Sequence, residues 1–244
     1  MYIGGSNSII HNIHKSSNDI DVSSNKLTTG DKIYQARLDP SGLSMSERFQ
    51  SVINGTLKEL DSEQMEISMN QTAEGGLSVM NNSMQRIYEL GIQSQNGTLT
   101  NEDRGELQKE VTQLKENINH IASSTEYNRN HVLSYADTDY FKITDIDLTD
   151  QANLDMDVVK DAIDQVNSLR SDYGSKVSAS ESAIENLTQQ HYNSVESYSA
   201  IRDVDVAEEV TKMTSNKIKN EMSITMLKKM NDMNLSTTRA LLGL

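Results

Sequence analysis

The sequence predicts a mostly α-helical fold: a long antiparallel helical rod or coiled coil with a small β-hairpin patch and its termini paired at one end. Composition is the first reason, because 35% of the 244 residues are hydrophobic, 5% are aromatic and a single Pro occurs. Since Pro interrupts helix interiors, its scarcity permits very long helices. Apolar residues also recur at alternating spacings of three and four, which is typical of narrow helix-packing seams.

The charge and the residue content exclude several classes of function. The formal net charge of −14 argues against nucleic acid as a partner, since phosphates require a basic face. It also disfavours anionic membrane surfaces, and no apolar run approaches the length of a transmembrane helix. The segment 1–6 has no basic start and no apolar run, so we expect no secretory signal peptide. Without Cys, the chain has no disulfides, thiol catalysis or zinc–thiolate sites.

The first predicted helix has a weak apolar seam, formed by Ile10, Ile13, Ser17, Ile20, Ser24 and Leu27. Such a helix buries too little apolar surface to be stable alone, so we expect it to need a partner helix. Turn-forming residues dominate 28–42. The next helix is expected to begin at about Met45, with Ser44 or Ser46 as its N-cap.

A long helix is predicted from about Met45 to Gln95, with a seam that includes Ile53, Leu57, Leu60, Ile67, Leu77, Met80, Met84, Ile87, Gly91 and Ser94. Gly75 and Gly76 inside it cost about 1 kcal/mol each relative to Ala. That cost indicates a close approach of another backbone, a bend, or a merely tolerated pair. Gly97 is expected to end the helix at the C′ position.

A return helix is expected next, capped by Thr100 or Asn101. It has the most regular seam of the chain, at Leu107, Val111, Leu114, Ile118 and Ile121. This heptad spacing predicts antiparallel packing along the long helix. Short apolar runs at 140–143 and 146–148, flanked by Asp and Thr, predict two short strands in one hairpin.

The C-terminal part is predicted to be helical from near Asn153, with a seam at Val159, Ala162, Val166, Leu169 and Tyr173. The segment 201–205 interrupts the periodicity and is expected to be a joint. The last helix has one apolar face, formed by Ile218, Met222, Met226, Met230, Met233, Thr237 and Leu241. A methionine stripe indicates core or interface packing rather than a cofactor site. We therefore expect the two weak terminal helices to bury their seams against each other.

The residue pattern gives no support for catalysis. His11 and His14 lie one helical turn apart but lack a third metal ligand. The acidic segment 145–150 hints at a calcium loop, but Asp150 and Met156 stand where such a loop needs Gly and Glu. We therefore expect no enzyme activity, no metal and no cofactor.

Several motifs occur in one order along the chain. They are Leu-Thr-Thr-Gly-Asp-Lys-Ile at 27–33, Asp-Pro-Ser-Gly-Leu-Ser-Met-Ser-Glu at 39–47, Gln-Thr-Ala-Glu-Gly-Gly-Leu at 71–77, the run 84–98, the return-helix segments 107–114 and 121–128, and Ile-Arg-Asp-Val-Asp-Val-Ala-Glu-Glu at 201–209. Together they resemble the bacterial flagellin family over roughly 1–133 and 153–244. Arg129 departs from the family pattern Phe-Asn-Gly, and a short central segment stands where many flagellins carry outer domains.

The resemblance implies a structural subunit that assembles with copies of itself into the bacterial flagellar filament for motility. It divides the chain into 1–40 (the N-terminal part of an inner coiled-coil domain plus a linker), 41–200 (a helical core domain with a small β element near 135–150) and 201–244 (the C-terminal part of the inner domain). Self-assembly contacts are expected at Ile10, Ile13, Ile20, Leu27, Ile218, Met222, Met226, Met230, Met233 and Leu241.

The resemblance also implies other partners: the flagellar export apparatus, an export chaperone, the filament cap and the hook-associated proteins. It implies a secreted, extracellular location on the flagellum. Positions that match contacts of the flagellin-sensing Toll-like receptor are Gln85, Arg86, Glu89, Leu90, Gln93 and Glu110. Leu90, on the flank of its helix, suits either a partner surface or packing against the return helix.

Two alternative functions stay open at this point. One is a hook–filament junction protein of the same superfamily, which forms a short ring and no long filament. The other is a soluble coiled-coil binding protein, or a secreted adhesin, that does not polymerise. Electron microscopy of the purified protein after seeding separates these functions, because only the filament subunit grows long polymers.

Overall fold

The computed structural model describes residues 3–150 and 154–242, without the side chains of 3–6 and 240–242. Its elements are α1 (Ile3–Thr29), α2 (Pro40–Ser94), α3 (Asn101–Ser124), β1 (Glu126–Tyr127), β2 (Asn130–His131), α4 (Asp157–Arg202) and α5 (Val206–Leu242). The predicted fold class, mostly helical with one small hairpin, is confirmed. The chain forms two compact units: 1–55 together with 191–244, and 56–190.

Helix α2 begins earlier than the predicted Met45. The carboxylate of Asp39 accepts a hydrogen bond from the backbone N–H of Gly42 at 2.9 Å, so Asp39 is the N-cap. Pro40 follows in the first helical position, where its fixed φ and missing N–H are favourable. The expected caps were wrong: Ser44 and Ser46 lie inside the helix, and the buried hydroxyl of Ser46 donates to the carbonyl of Leu43.

Two caps were predicted at the turn between α2 and α3, and the one at the start of α3 is confirmed. Thr100 caps α3 in a capping box with Asp103, whose backbone N–H donates to the Thr100 hydroxyl at 3.2 Å. Gly97 does not take the left-handed conformation expected of it; in the described residues, Gly30 after α1 is the glycine that does, with φ 76°. Instead, the guanidinium of Arg104 donates to the last-turn carbonyl of Ser94 at 3.0 Å.

The unit 56–190 is built on three helical segments, in which α3 and α4 both run antiparallel to α2. Arg86 of α2 contacts Glu110 of α3, while Asn117 donates to Ser83, so the two helices run in opposite directions. Arg170 of α4 likewise pairs with Glu74 at 2.7 Å. The predicted seams are largely confirmed, since fully buried positions include Leu77, Met80, Met84, Ile87, Val111, Ile118, Val159, Ala162 and Val166. Helix α4 begins at Asp157; Asn153, near which it was expected to begin, lies outside the described residues.

The hairpin was predicted in the wrong segment. Strands β1 and β2 pair antiparallel, with Glu126 opposite His131 and Tyr127 opposite Asn130. The two loop residues, Asn128 and Arg129, have φ of 51° and 66°. Two positive φ angles in a two-residue loop are typical of a type I′ turn, which matches the twist of the strands. Arg129 therefore adopts a conformation that glycine takes more readily.

The segment 135–148 forms turns rather than strands. Its apolar residues are buried, including Phe141, Ile143 and Leu148, but its backbone groups bond to side chains of α3. Gln108 accepts from the N–H of Leu148 at 2.8 Å, and the ammonium of Lys115 donates to the carbonyls of Thr144 and Ile146. Burial lowers the pKa of Lys115, against the opposing effect of two nearby aspartates. Because side chains of α3 form hydrogen bonds with these backbone groups, the groups do not need a partner strand.

Candidate assembly and recognition surfaces

Helices α1 and α5 pair antiparallel within the unit formed by 1–55 and 191–244. Ser23 of α1 contacts Glu209 near the start of α5, while Asn220 Nδ2 lies 3.5 Å from the backbone oxygen of Ile13. The joint predicted at 201–205 is confirmed, because α4 ends at Arg202 and α5 begins at Val206. The joint is fixed to the loop after α1, since Arg202 pairs with Asp31 at 3.0 Å.

The face that α1 turns toward α5 differs by one position from part of the predicted seam. Ser16 and Ser23 are buried, whereas the expected seam residues Ser17 and Ser24 are exposed. Ile13, Ile20 and Leu27 are half-buried, as their expected role requires, but Ile10 is exposed. Ile9 and Ile10 both fit a heptad pattern. Taking Ile10 as the seam residue shifts the expected serine positions by one, from Ser16 and Ser23 to Ser17 and Ser24.

The pair contains one buried polar cluster that the sequence did not reveal. The hydroxyl of Ser23 donates to Glu209 Oε1 at 2.7 Å, and Lys26 Nζ lies 3.5 Å from Oε2. Burial opposes ionisation of the Glu209 carboxyl, but Ser23 and Lys26 together outweigh it and hold its pKa below the ordinary value. The signal was the spacing of Ser23 and Lys26, one helical turn apart on α1.

The methionine stripe of α5 does not face α1. Ile218, Met222, Met226 and Met233 are 57%, 60%, 58% and 65% exposed, and Met230 alone of these methionines is half-buried. The side chain of Leu241 lies outside those described. The expectation that both terminal seams bury each other was therefore wrong for α5, which turns a more polar row toward α1: Glu209, Met213, Asn216, Asn220, Ser223, Leu227 and Met230. The Glu209 cluster and the joint explain this, because both fix which side of α5 meets α1.

A second exposed apolar row lies on the other side of the α1-facing surface. It was missed in the sequence because its members are widely spaced: Val206, Val210, Ile224 and Leu235, with 39% to 59% of each side chain exposed. At about 100° per residue, this row and the methionine stripe flank the face that α1 covers. Helix α5 thus presents two uncovered apolar rows in the single chain.

Charged side chains cross from α2 to α3 at the predicted recognition positions. Arg86 Nε lies 2.7 Å from Glu110 Oε1, and Arg86 Nη1 lies 3.1 Å from Glu89 Oε2. The hydrogen bonds that Arg86 donates to Glu110 and Glu89 raise the pKa of its guanidinium. Gln85 and Gln93 are exposed on the same helix. Five of the six predicted positions therefore share one accessible, ordered polar surface.

Leu90 does not belong to that surface. Its exposed fraction is 0%, and it lies in the same apolar core as Ile87, Val111 and Val159. The expectation that it faces a partner was wrong, because Leu90 lies on the side of α2 that packs against α3 and α4. Its apolar character is explained by packing within the unit.

Two further kinds of feature are absent from the part of the chain that the structure describes. No helix there is long and apolar enough to cross a membrane. No group of three or more His, Asp or Glu side chains comes close enough to hold a metal ion among these residues.

Comparison with known proteins gives a consistent assignment. The bacterial flagellin N-terminal helical region matches 4–138, and the flagellin C-terminal helical region matches 156–241. The flagellin of Halalkalibacterium halodurans is 31% identical over 84% of this chain and 86% of its own length. A flagellin of Clostridium tyrobutyricum is 35% identical over 60% of this chain, which spans 39% of that longer protein.

A third relative has a more specific name. The flagellar filament 30.7 kDa core protein of Treponema maltophilum is 29% identical over 84% of this chain and 86% of its own length. The two family regions lie in their expected order and leave unmatched a short central segment, 139–155, and three residues at each end. This chain belongs to the bacterial flagellin family.

Proposed function

We propose that this protein is a structural subunit that polymerises with copies of itself into the bacterial flagellar filament for motility. Family membership and a relative named as a filament core protein support this function. The observation that carries it is the uncovered apolar surface of α5. Burying such rows against neighbouring copies removes apolar area from water, which drives association. A single chain leaves that contribution unused.

The other partners follow from the same function. A filament subunit leaves the cell through the flagellar export apparatus, and an export chaperone that covers the α5 rows prevents premature association. Outside the cell, subunits add beneath a filament cap, beyond the hook-associated proteins. The place of action is therefore the extracellular flagellum. The self-assembly residues are the ten on α1 and α5 that the resemblance implies. Of these, Ile10 faces a neighbouring copy rather than α5.

Electron microscopy of the purified full chain tests this function. Short filament fragments serve as seeds, and free chain is added at increasing concentration. Long filaments that extend from the seeds are the expected result. Short rings that stop growing support the junction-protein alternative, and monomers or fixed dimers support a non-polymerising coiled-coil protein. Either of those outcomes overturns the proposal.

A recognition function is supported at the Arg86 surface. The site at which the free monomer binds the flagellin-sensing Toll-like receptor is formed by four exposed residues and the half-buried Glu110. The four are Gln85, Arg86, Glu89 and Gln93. Arg86 is held by Glu89 and Glu110 before binding, so little side-chain entropy is lost when a partner contacts it. Leu90 supports this surface from beneath and makes no contact with the receptor.

We predict that Arg86→Ala weakens binding of monomer to the receptor's extracellular domain by roughly tenfold or more, because a central Arg is commonly an interface hot spot. Surface plasmon resonance measures the dissociation constants. Arg170→Ala is the matched control, because Arg170 also loses an ion pair, with Glu74, and lies outside the surface. Equal effects of the two substitutions, or no binding of the parent chain, contradict the assignment.

A further inference from the structure

The described methionines of this chain differ widely in accessibility. Met222, Met226 and Met233 on α5 are 58% to 65% exposed, whereas Met80 and Met84 in the core are 0% exposed. The chain has no Cys, so its 12 methionines are its only sulfur groups. An oxidant that meets the free chain therefore has no competing thiol, and it reaches the α5 thioethers before the core ones.

The three exposed thioethers lie on one continuous surface with Ile218. Their spacing places them on one side of α5, about a quarter to a third of a turn away from the row that faces α1. Met222 and Met226 also line a groove beside Asn12 and Lys15 of α1. The stripe is therefore continuous with the α1–α5 contact. A second copy that extended this contact would cover the three sulfur atoms.

Oxidation changes the chemical character of this surface. Hydrogen peroxide transfers one oxygen atom to the thioether sulfur: the sulfur is oxidised by two electrons, the peroxide O–O bond breaks, and water is released. The product, a sulfoxide, is polar and accepts hydrogen bonds, so its burial between apolar surfaces costs free energy. Three such groups on one stripe oppose the association that unmodified methionines favour.

We propose that Met222, Met226 and Met233 form an oxidation site through which peroxide-class oxidants control whether the free chain enters the polymer. The site rests on the proposed filament function, because the second copy is the partner that oxidation repels. Free chain is sensitive to peroxide, and chain already in the polymer is protected because neighbouring copies cover the sulfur atoms. Reduction of the sulfoxides restores assembly.

The experiment treats free chain with hydrogen peroxide, removes the oxidant with catalase, and measures seeded polymerisation by sedimentation. Peptide mass spectrometry locates the sulfoxides. We expect oxygen addition at the three α5 methionines, none at Met80 or Met84, and loss of sedimentable polymer at concentrations where untreated chain polymerises. Treatment with methionine sulfoxide reductases is expected to restore polymer yield, which excludes irreversible damage as the cause.

Two variants assign the effect to these positions. A chain with Met222→Leu, Met226→Leu and Met233→Leu is expected to polymerise after peroxide treatment. A chain with Met45→Leu and Met65→Leu, which removes two exposed thioethers of α2, stays sensitive. If the triple variant fails to polymerise untreated, reductase rescue of the oxidised parent still tests whether methionine sulfoxide is what blocks assembly. Oxidised parent that polymerises normally overturns this inference alone, whereas untreated parent that never polymerises overturns the proposed function itself.

Discussion

Single residues in the motif at 201–209 explain why the chain turns where it does. Arg202 pairs with Asp31, and the carbonyl of Gly30 accepts from the N–H of Val204 at 2.9 Å. Asp205 caps α5 by accepting from the N–H of Glu208 at 3.0 Å. Glu209 then contacts Ser23. Arg202, Asp205 and Glu209 thus each have a structural task, which is why the motif lacks helical periodicity.

We predict that the buried carboxylate of Glu209 makes the polymer sensitive to acid. Its pKa is lowered in the folded pair, so its stabilising contribution is complete above the ordinary glutamate value of 4.5 and is lost as pH falls through the lowered pKa. For each polymer, sedimentation gives the fraction that remains at pH of about 3 relative to neutral pH. We expect this fraction to be smaller for the parent polymer than for a Glu209→Gln polymer.

The matched control for this prediction is Glu208→Gln. Glu208 lies beside Glu209 but is exposed and pairs with Lys212 on its own helix, at 2.7 Å. Exposed pairs of this kind contribute little to stability. The Glu208→Gln polymer is therefore expected to follow the parent's pH profile. A Glu209→Gln profile that matches the parent contradicts the role assigned to the buried carboxylate.

Gly75 and Gly76 are predicted to respond oppositely to Ala. A Cβ at Gly76 would lie 2.7 Å from Leu133 Cδ1 and 3.0 Å from Thr125 Oγ1, and Leu133 is fully buried, whereas a Cβ at Gly75 meets nothing. Overpacking costs about 1–3 kcal/mol and outweighs the helix gain, so Gly76→Ala should unfold at lower urea concentration. Gly75→Ala should gain about 0.5–1 kcal/mol. The same shift in both variants would contradict the contact.

At the scale of elements, periodicity predicted the existence of every helix, but not every face or end. The seam of α3 was correct because its heptad spacing admits only one buried face. Helix α5 was misread because apolar character alone selected its inward face, whereas polar contacts of Ser23 and Glu209 decide it. The start of α2 at Pro40 was missed because Asp39 and Pro40 read as turn residues, although both also begin helices.

The terminal helices are predicted to be unprotected in the free monomer and ordered in the polymer. Among the side chains described in α1 and α5, no apolar one is fully buried; the buried residues are Ser16, Ser23 and Glu209. Such a pair gains little from apolar burial to offset the entropy of ordering. Hydrogen exchange should show no amide protection at 1–30 and 205–244 in monomer, and strong protection in polymer. Protection in monomer equal to that of α3 rules this out.

The two units differ in how much buried apolar core they contain. The unit 56–190 contains the continuous apolar core, from Ala73 to Val166, and there Asn70 Nδ2 and Asn81 Oδ1 are buried with no hydrogen-bond partner among the described residues. The unit of 1–55 and 191–244 has a thin, polar helix pair and uncovered apolar rows. The division at 40/41 and 200/201 that the resemblance suggested stays a prediction, since sequence motifs mark family regions rather than packing boundaries.

The central claim is that the chain polymerises because α1 and α5 are buried against each other and against neighbouring copies. Seeded polymerisation, viewed by electron microscopy, tests it with Ile13→Asp and Ile20→Asp combined, against a control with Ser17→Asp and Ser24→Asp. Two unpaired carboxylates at half-buried positions each cost on the order of several kcal/mol, so the isoleucine variant should form no filaments while keeping the core of 56–190 folded. The serine variant adds the same charge at exposed positions and should form them. Normal filaments from the isoleucine variant would contradict the account.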